Sequence, residues 1–582
     1  MTALLGPATI AAPPPGPGAA SPGRPRRSKD RSVIVLGTGV AVLLLFLIGY
    51  PLVSLLGSAF SPGGQAVLLK IVTDPVNHRI VGNTMQLGLI VGVTGTLIGF
   101  LFAYAQVRLK FRGKRVLHLL AMIPIVAPPF AVATAVITLF GRNGAISNGV
   151  FGLHPNIYGL PGLVLVLSLS FFPVAYMNLK GMLESLDPSL DEAAAGLGAS
   201  KLRVFLTVTI PMIIPGLAGS FLLLFVESIA DLGNPLVLGG DYTVLASRAY
   251  LAVTGEYNTS AGAAYSLAIL IPALLVFMVQ RYWVSRRSVV SITGKPTGTS
   301  ELITAASIRV PILALVAFIS VLIVTIYATV LAGGFMKVPG VNNAFTLDHY
   351  AFVFGGLGSK AMTDTTMLAL IAAPIAGLLG MLIAWLVVRK LRRAAGLLDF
   401  VGMLGLAVPG TVLGIGYALS YNSPTVLFGI QVLPALAGGS AAFAGAVAIV
   451  MVYITRSLPS GQRAGVSALQ QIHPAIEEAS TSLGADSATT FRKVTLPLIQ
   501  SALLTGLTFA FARSMTTLSP IIFLTTPGIK IMTSQILAEV DSGRFGNAFA
   551  YCTVLIGIVL TLILLLNVFV RKVVFRGRTH RR

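Results

Sequence analysis

The sequence predicts an all-α integral membrane protein: twelve transmembrane helices arranged as two parallel six-helix repeats. Three observations carry this. Of 582 residues, 55% are hydrophobic and only 10% charged; twelve stretches are apolar over a bilayer's thickness; and polar loops of the first half recur in the second at fixed offsets. Soluble domains carry about 25% charged residues, and a mean hydropathy of +0.87 exceeds what a water-facing surface tolerates. Low hydrophobicity defines disorder, so the bulk of the chain is excluded from that class. The net charge of +22 would suggest nucleic acid in a soluble protein, but here the expected environment is a lipid bilayer and no nucleic-acid partner is expected. One cysteine, Cys552, excludes an internal disulfide or a Cys-based metal site, and six scattered His residues offer no ligand-spaced cluster.

The elements follow in chain order. Residues 1–32 are rich in Pro, Gly and Ala and end in Arg24, Arg26, Arg27, Lys29 and Arg31, as expected of a disordered basic cytoplasmic tail. The apolar run after it is about 25 residues long, where a signal core has about 7–15, so a retained first span is expected. A span needs about 20 largely apolar residues. The stretches of that length are approximately 33–58, 84–107, 116–140, 158–179, 212–235, 261–284, 308–332, 366–388, 397–421, 435–455, 499–523 and 546–570. Gly and Pro inside them suit a membrane, where neighbouring helices re-satisfy the backbone. With the tail inside, 32 of the 41 basic residues fall on the cytoplasmic side, eight on the other, and Arg513 within a span. That asymmetry orients both termini toward the cytoplasm.

The repeat organises the rest. Segment 187–211 (DPSLDEAAAGLGASKLRVFLTVTIP) matches 473–497 (HPAIEEASTSLGADSATTFRKVTLP) at an offset of 286, and Phe225, Ser228 and Leu232 recur as Phe511, Ser514 and Leu518. Upstream, Gly99, Ala103, Arg108 and Pro128 recur as Gly380, Ala384, Arg389 and Pro409 at an offset of 281. The chain therefore reads as a first half over 33–284 (core 79–284), a cytoplasmic linker over 285–307, and a second half over 308–582 (core 361–570). Six spans per half make the repeat parallel, related by an axis along the membrane normal.

The repeated loop has local signals of its own. Pro188 and Pro474 suit a first helical position and Asp187 a cap, while Asp191, Glu192, Glu477 and Glu478 lie where the helix dipole favours acids. Gly198 and Gly484 are natural stops, and Ser200 and Asp486 can cap the next helix, which runs toward Pro211 and Pro497. A short helix, a turn and a helix re-entering the membrane result. One such stub could be merely interfacial; two symmetric copies argue for docking two copies of a partner.

These residues resemble the signature loop of binding-protein-dependent ABC importer permeases: Glu-Ala-Ala, three residues, Gly, nine residues, aliphatic-x-aliphatic-Pro. Glu192, Ala193, Ala194, Gly198, Val208, Ile210 and Pro211 match it, as do Glu478, Ala479, Gly484, Val494, Leu496 and Pro497, with Ser480 replacing the second Ala. The resemblance implies the type I permease fold, with each stub a coupling helix seated on one of two cytoplasmic ATPase subunits. It also implies a substrate-binding protein on the outer face and a location in a bacterial cytoplasmic (inner) membrane. ATP and magnesium would belong to the ATPase, since this chain has no phosphate-binding G-x-x-x-x-G-K-[ST] loop; no cofactor, metal site or catalytic residue is expected of the permease itself. Residues 121–130, 225–240 and 511–524 resemble the ferric-iron branch of fused double permeases. Phosphonates such as 2-aminoethylphosphonate, thiamine and phosphosugars are the alternative cargoes.

Charges inside the spans complete the reading. Glu227 and Asp231 are spaced i, i+4 on the fifth span, and Glu227 maps onto Arg513 at the 286 offset. An ionised group in the membrane costs about 2.5–3.5 kcal/mol on insertion scales, so a cross-half Glu227–Arg513 pair acting as gate or latch is expected. Simple solvation of both near the outer surface is the alternative. Asp231, Asn234 and Asp241 could be mistaken for an oxygen-ligand iron site, and Pro128 and Pro409 are candidates for kinks lining the pathway. Parallel repeats also occur in secondary transporters, but the spans offer only the fifth-span carboxylates as coupling groups. A membrane enzyme lacks a persuasive acid/base or nucleophilic constellation.

Overall fold

The computed structural model describes residues 31–284, 302–391, 394–427 and 430–579. Most of the basic tail and of the linker lie outside the described residues. Among those described, nine helices are long and apolar enough to cross a membrane singly. Counting each of three bent pairs as one span brings the number to twelve. Two short antiparallel hairpins, Met336–Val338 with Asn342–Phe345 and Thr425–Leu427 with Ile430–Leu433, sit in loops.

The third and ninth spans are each broken by a sharp bend at the prolines expected to kink them. Helix Lys114–Val126 turns by 107° into Phe130–Phe140, and Ala395–Ala407 by 102° into Gly410–Tyr421. Each break sits at a matched proline. A proline pushes the residue before it out of the α region and cannot donate a backbone hydrogen bond, and Ala127 and Val408 are accordingly extended (ψ 147° and 124°). The eleventh span bends by 80° between Ser487–Leu498 and Gln500–Thr516. The fifth helix ends at Ala230, short of the expected 235. The tenth helix runs over Ala446–Gln470 instead of 435–455, because the apolar residues after 434 form a loop that includes Phe443 and Ala444 at positive φ.

The repeat holds in three dimensions at the closest approaches. A Cβ on Gly99 would lie 2.6 Å from Ala175 Cβ and 2.8 Å from Tyr176 N; one on Gly380 would lie 2.6 Å from Gln462 N. Both glycines let the second span of a half press against the backbone of the fourth, a small-residue contact of the kind that packs membrane helices.

Each half lends its first helix to the other. Ser32–Ala59 packs on the sixth span of its own half and on Gly410–Tyr421 of the second half. Ala306–Gly333 packs on the twelfth span and on Phe130–Phe140 of the first half. A π turn at Leu45–Gly49 disturbs the regular ladder of the first helix. Within and beside it, Leu47 and Phe46 carbonyls accept hydrogen bonds from Tyr417 (2.7 Å) and Tyr421 (2.5 Å).

Candidate functional site

Two features qualify: the matched stubs on one face and a charged cavity between the halves. The first stub is Pro188–Gly196, with Asp187 Oδ1 accepting from Ser189 N. The second is Ala475–Ser482; Pro474, expected at the first helical position, is instead its cap, so the helix starts one position later. Both end in the same hydrogen-bonded stop. Ala199 N donates to Ala194 O and Ala485 N to Ser480 O, while Gly198 (φ 81°) and Gly484 (φ 87°) take the left-handed turn this stop requires. Ser200 Oγ and Asp486 Oδ1 then accept from Arg203 N and Thr489 N, capping the re-entering helices. Pro211 and Pro497 follow π turns at Phe205–Thr209 and Phe491–Thr495, where the backbone ladder is already interrupted. Glu192, Ala193, Glu478 and Ala479 are exposed and Ala194 is half-buried. At the tips, Leu197 is 90% and Leu483 88% exposed.

The opposite side of each stub is fixed by an acid that the motif does not include. Arg108, at the end of the second span, meets Asp191 at 2.5 Å. Its counterpart Arg389 lies 3.6 Å from Glu477. Glu477 also accepts from Thr495 Oγ1 (3.0 Å) and Trp385 Nε1 (3.3 Å), while Arg389 donates to the carbonyls of Leu469 (2.8 Å) and Ile472 (2.5 Å). Tyr104 against Phe205 and Trp385 against Phe491 repeat one aromatic contact (5.4 and 5.0 Å between centroids) beside each pair. We call this assembly a strut. Its residues were visible in the offsets, since 281 matches the arginines and 286 the acids, but only folding shows that the two sets meet.

Between the halves lies a cavity of about 90 Å³ lined by Glu227, Asp231, Arg456 and Arg513, with Phe130, Gly410 and the segment 516–520. Arg513 Nη2 is 3.3 Å from Glu227 Oε1. Asp231 does not continue the helical face of Glu227. It sits just past the helix end with extended backbone, its Oδ2 accepting from Asn234 N (3.0 Å) and Nδ2 (2.9 Å). Asp241 lines a different pocket, so Asp231, Asn234 and Asp241 do not form one ligand set. Among the described residues no group of three His, Cys, Asp or Glu could hold a metal ion. Pro128 and Pro409 stand at the two breaks beside the cavity, each the residue before a bent half-span.

Arg456 is the residue that sequence reasoning misplaced. With the tenth span set at 435–455, it fell among the 32 cytoplasmic basic residues; with the helix at Ala446–Gln470 it lies mid-span. Its Nη1 donates to Gly405 O and Val408 O, both 3.1 Å, carbonyls at the end of the helix broken before Pro409. A cation at a helix C-terminus meets the negative end of the dipole.

A duplicated scaffold of apolar, bilayer-length helices with one matched stub per half is that of a membrane transport permease. Residues 95–289 and again 376–578 match the family model described as the binding-protein-dependent transport system inner membrane component, and the chain belongs to that family. It is 33% identical to the ferric transport system permease protein FbpB of Actinobacillus pleuropneumoniae, over 92% of this chain and 78% of that protein. The identity is also 33% to the putative ferric transport system permease protein FbpB 1 of Haemophilus influenzae, over 86% of this chain and 79% of the relative. The molybdenum transport system permease protein ModB of Escherichia coli is 27% identical over 38% of this chain, covering 97% of its own length. A shorter relative thus aligns along nearly its whole length with 38% of the present chain.

Proposed function

We propose that this protein is the membrane subunit of an ATP-driven importer for ferric iron. The observation that carries the coupling role is the duplicated stub: a strut on one side, and on the other a bare leucine that nothing among the described residues covers. A leucine nearly nine-tenths exposed at the tip of each stub suits a hydrophobic groove on a partner, here one ATPase subunit per stub. The stub face and both termini are then cytoplasmic. A liganded binding protein docks on the opposite face. Closure of the ATPase pair on ATP draws the stubs together, the halves rock, and hydrolysis resets them. The Glu227–Arg513 pair, which joins the halves at the cavity, is the gate that this rocking opens. Ferric iron as cargo rests on the two FbpB relatives matched along most of the chain.

The test is reconstitution with the ATPase and binding protein that copurify with the chain. Glu192→Ala combined with Glu478→Ala should abolish the hydrolysis stimulated by the loaded binding protein while the protein remains in the membrane. Retained stimulation would count heavily against the coupling role. Uptake of radiolabelled ferric iron, competed by 2-aminoethylphosphonate or thiamine in parallel, decides the cargo. Uptake that survives ATP depletion but collapses with the ion gradient would favour a secondary transporter instead.

A further inference from the structure

The two halves match closely, so the places where matched positions differ in charge carry information. One lies on the face away from the stubs, at the start of the second span of each half. Thr84 and Thr365 mark equivalent positions: Thr84 Oγ1 accepts from Leu245 N (2.9 Å) and Thr365 Oγ1 from Met532 N (2.8 Å). The residues just before them differ. In the second half Asp364 accepts from Lys530 N (3.0 Å) and pairs with Lys360 at 3.1 Å. In the first half Arg79 stands where Lys360 does, but Asn83 replaces Asp364, its Nδ2 donating to Thr243 O (3.0 Å). Arg79 therefore has no counter-charge at this position. Arg142, from the loop after the third span, lines the same open pocket of about 540 Å³. Both arginines are exposed, and among the described residues neither has a carboxylate within 4 Å, although Asp241 also contributes to the lining.

We propose that this first-half pocket receives an acidic side chain of the extracytoplasmic binding protein and so sets the orientation in which that protein docks. The inference rests on the importer reading above. A receptor made of two like halves offers a partner two poses related by the pseudo-two-fold axis. Specificity between them is a difference of affinities, most simply built by making one half attractive and the other self-satisfied. The first half presents two guanidinium groups with no carboxylate within 4 Å among the described residues, and such groups match carboxylates in a planar, bidentate geometry. The second half presents a lysine already paired. An exposed pocket open to the outer solution suits a protein side chain that arrives and leaves with each cycle, and rim charges of this kind act mainly on encounter and orientation.

The experiment uses the full complex in vesicles, titrated with the binding protein that supports uptake. Saturable stimulation of the wild-type complex tests the importer reading by itself. Asn83→Asp then installs the counter-charge that the second half already has. It should raise the concentration of binding protein for half-maximal uptake about 3-fold, and Arg79→Glu with Arg142→Glu about 10-fold, both at unchanged maximal rate and both shrinking in high salt. The matched second-half variant Lys360→Glu should leave the half-maximal concentration within about 2-fold. Recovery by an acid-to-basic substitution on the binding protein's docking face would confirm a direct contact. The proposal is overturned if the first-half variants leave that concentration unchanged, or if Lys360→Glu shifts it equally. It is also overturned if inorganic phosphate or anionic lipid alone reproduces the dependence on Arg79 and Arg142 while affinity for the binding protein stays constant. If the wild-type complex shows no dependence on a binding protein, the importer reading itself fails.

Discussion

The two struts use the same charges in different surroundings, and charge exchange should separate them. In the first half, among the described residues, Asp191 alone accepts from the Arg108 guanidinium, whose side chain is 7% exposed and whose Nε is buried without an acceptor. Asp191→Ala leaves that cation uncompensated, at a cost of about 3–5 kcal/mol for breaking a buried pair. Spread over the docking of one stub, 3 kcal/mol corresponds to a more than 100-fold faster amide exchange at about 1.4 kcal/mol per decade. Arg108→Asp combined with Asp191→Arg restores both charges to the same gap and should recover at least about half of the loss. The second strut cannot be exchanged in this way. Glu477 also accepts from Thr495 and Trp385, and Arg389 also serves two carbonyls. Reversal there strands donors and acceptors at about 1–3 kcal/mol each, so Arg389→Glu with Glu477→Arg should be no better than either single change. The readouts are thermal melting in detergent, hydrogen exchange at 188–196 and 475–482, and stimulated ATP hydrolysis in the reconstituted complex. Failure of the exchange to recover the first stub would refute the pairing as what holds it. Recovery in both halves would refute the role given to Trp385 and Thr495.

Other consequences are simpler to measure. Gly99→Ala and Gly380→Ala each drive a methyl into a facing helix, within 2.8 Å of a backbone nitrogen, and should each cost about 1–3 kcal/mol, seen as a lower melting temperature. Tyr257 holds φ 53° at 87% exposure, where its repeat counterpart is Gly543 at φ 73°. Tyr257→Gly should therefore stabilise by up to about 1 kcal/mol, and Gly543→Ala should destabilise by a similar amount in the same melts. Burial would raise the carboxyl of Glu539, but hydrogen bonds from Arg544, Asn547 and Gln535 outweigh it and hold the group below the usual carboxylate range. A depressed carboxylate contributes stability that is complete above its ordinary range and is lost as pH falls through its folded value. Melting temperature should therefore drop below about pH 4.5 more steeply in the native chain than in Glu539→Gln; equal slopes would remove Glu539 from the account.

The parts of this architecture legible in sequence are those that the bilayer or the repeat enforces. Lipid leaves a spanning backbone few options, so composition and length located the spans, and offsets of 281 and 286 paired the stubs, their glycine stops and their caps before any geometry was known. What stayed hidden depends on where chains cross. Pro128 and Pro409 were recognisable as kink sites, but bends above 100° depend on what fills the space each half-span vacates. The tenth span was misplaced because hydropathy reads 435–445 and 446–455 alike, and with it went Arg456, whose charge was taken as a mark of the membrane surface. Asp231 was assigned to a helical face on spacing alone. The chain instead leaves the helix at Ala230, and the carboxylate turns to Asn234.

The exchanged first helices also constrain how the protein is made. The carbonyls of Phe46 and Leu47 receive hydroxyls from Tyr421 and Tyr417, residues 375 and 370 positions further along the chain. At about 5–20 residues per second of synthesis, the first span waits roughly 20–75 s in the bilayer before those partners exist. During that interval it can pack on the sixth span of its own half, while its native neighbours on the far side have yet to be translated. Assembly of this protein is therefore closed by its ninth span, and a ribosome stalled after the first six leaves a half whose leading helix is held on one side only, by the sixth span.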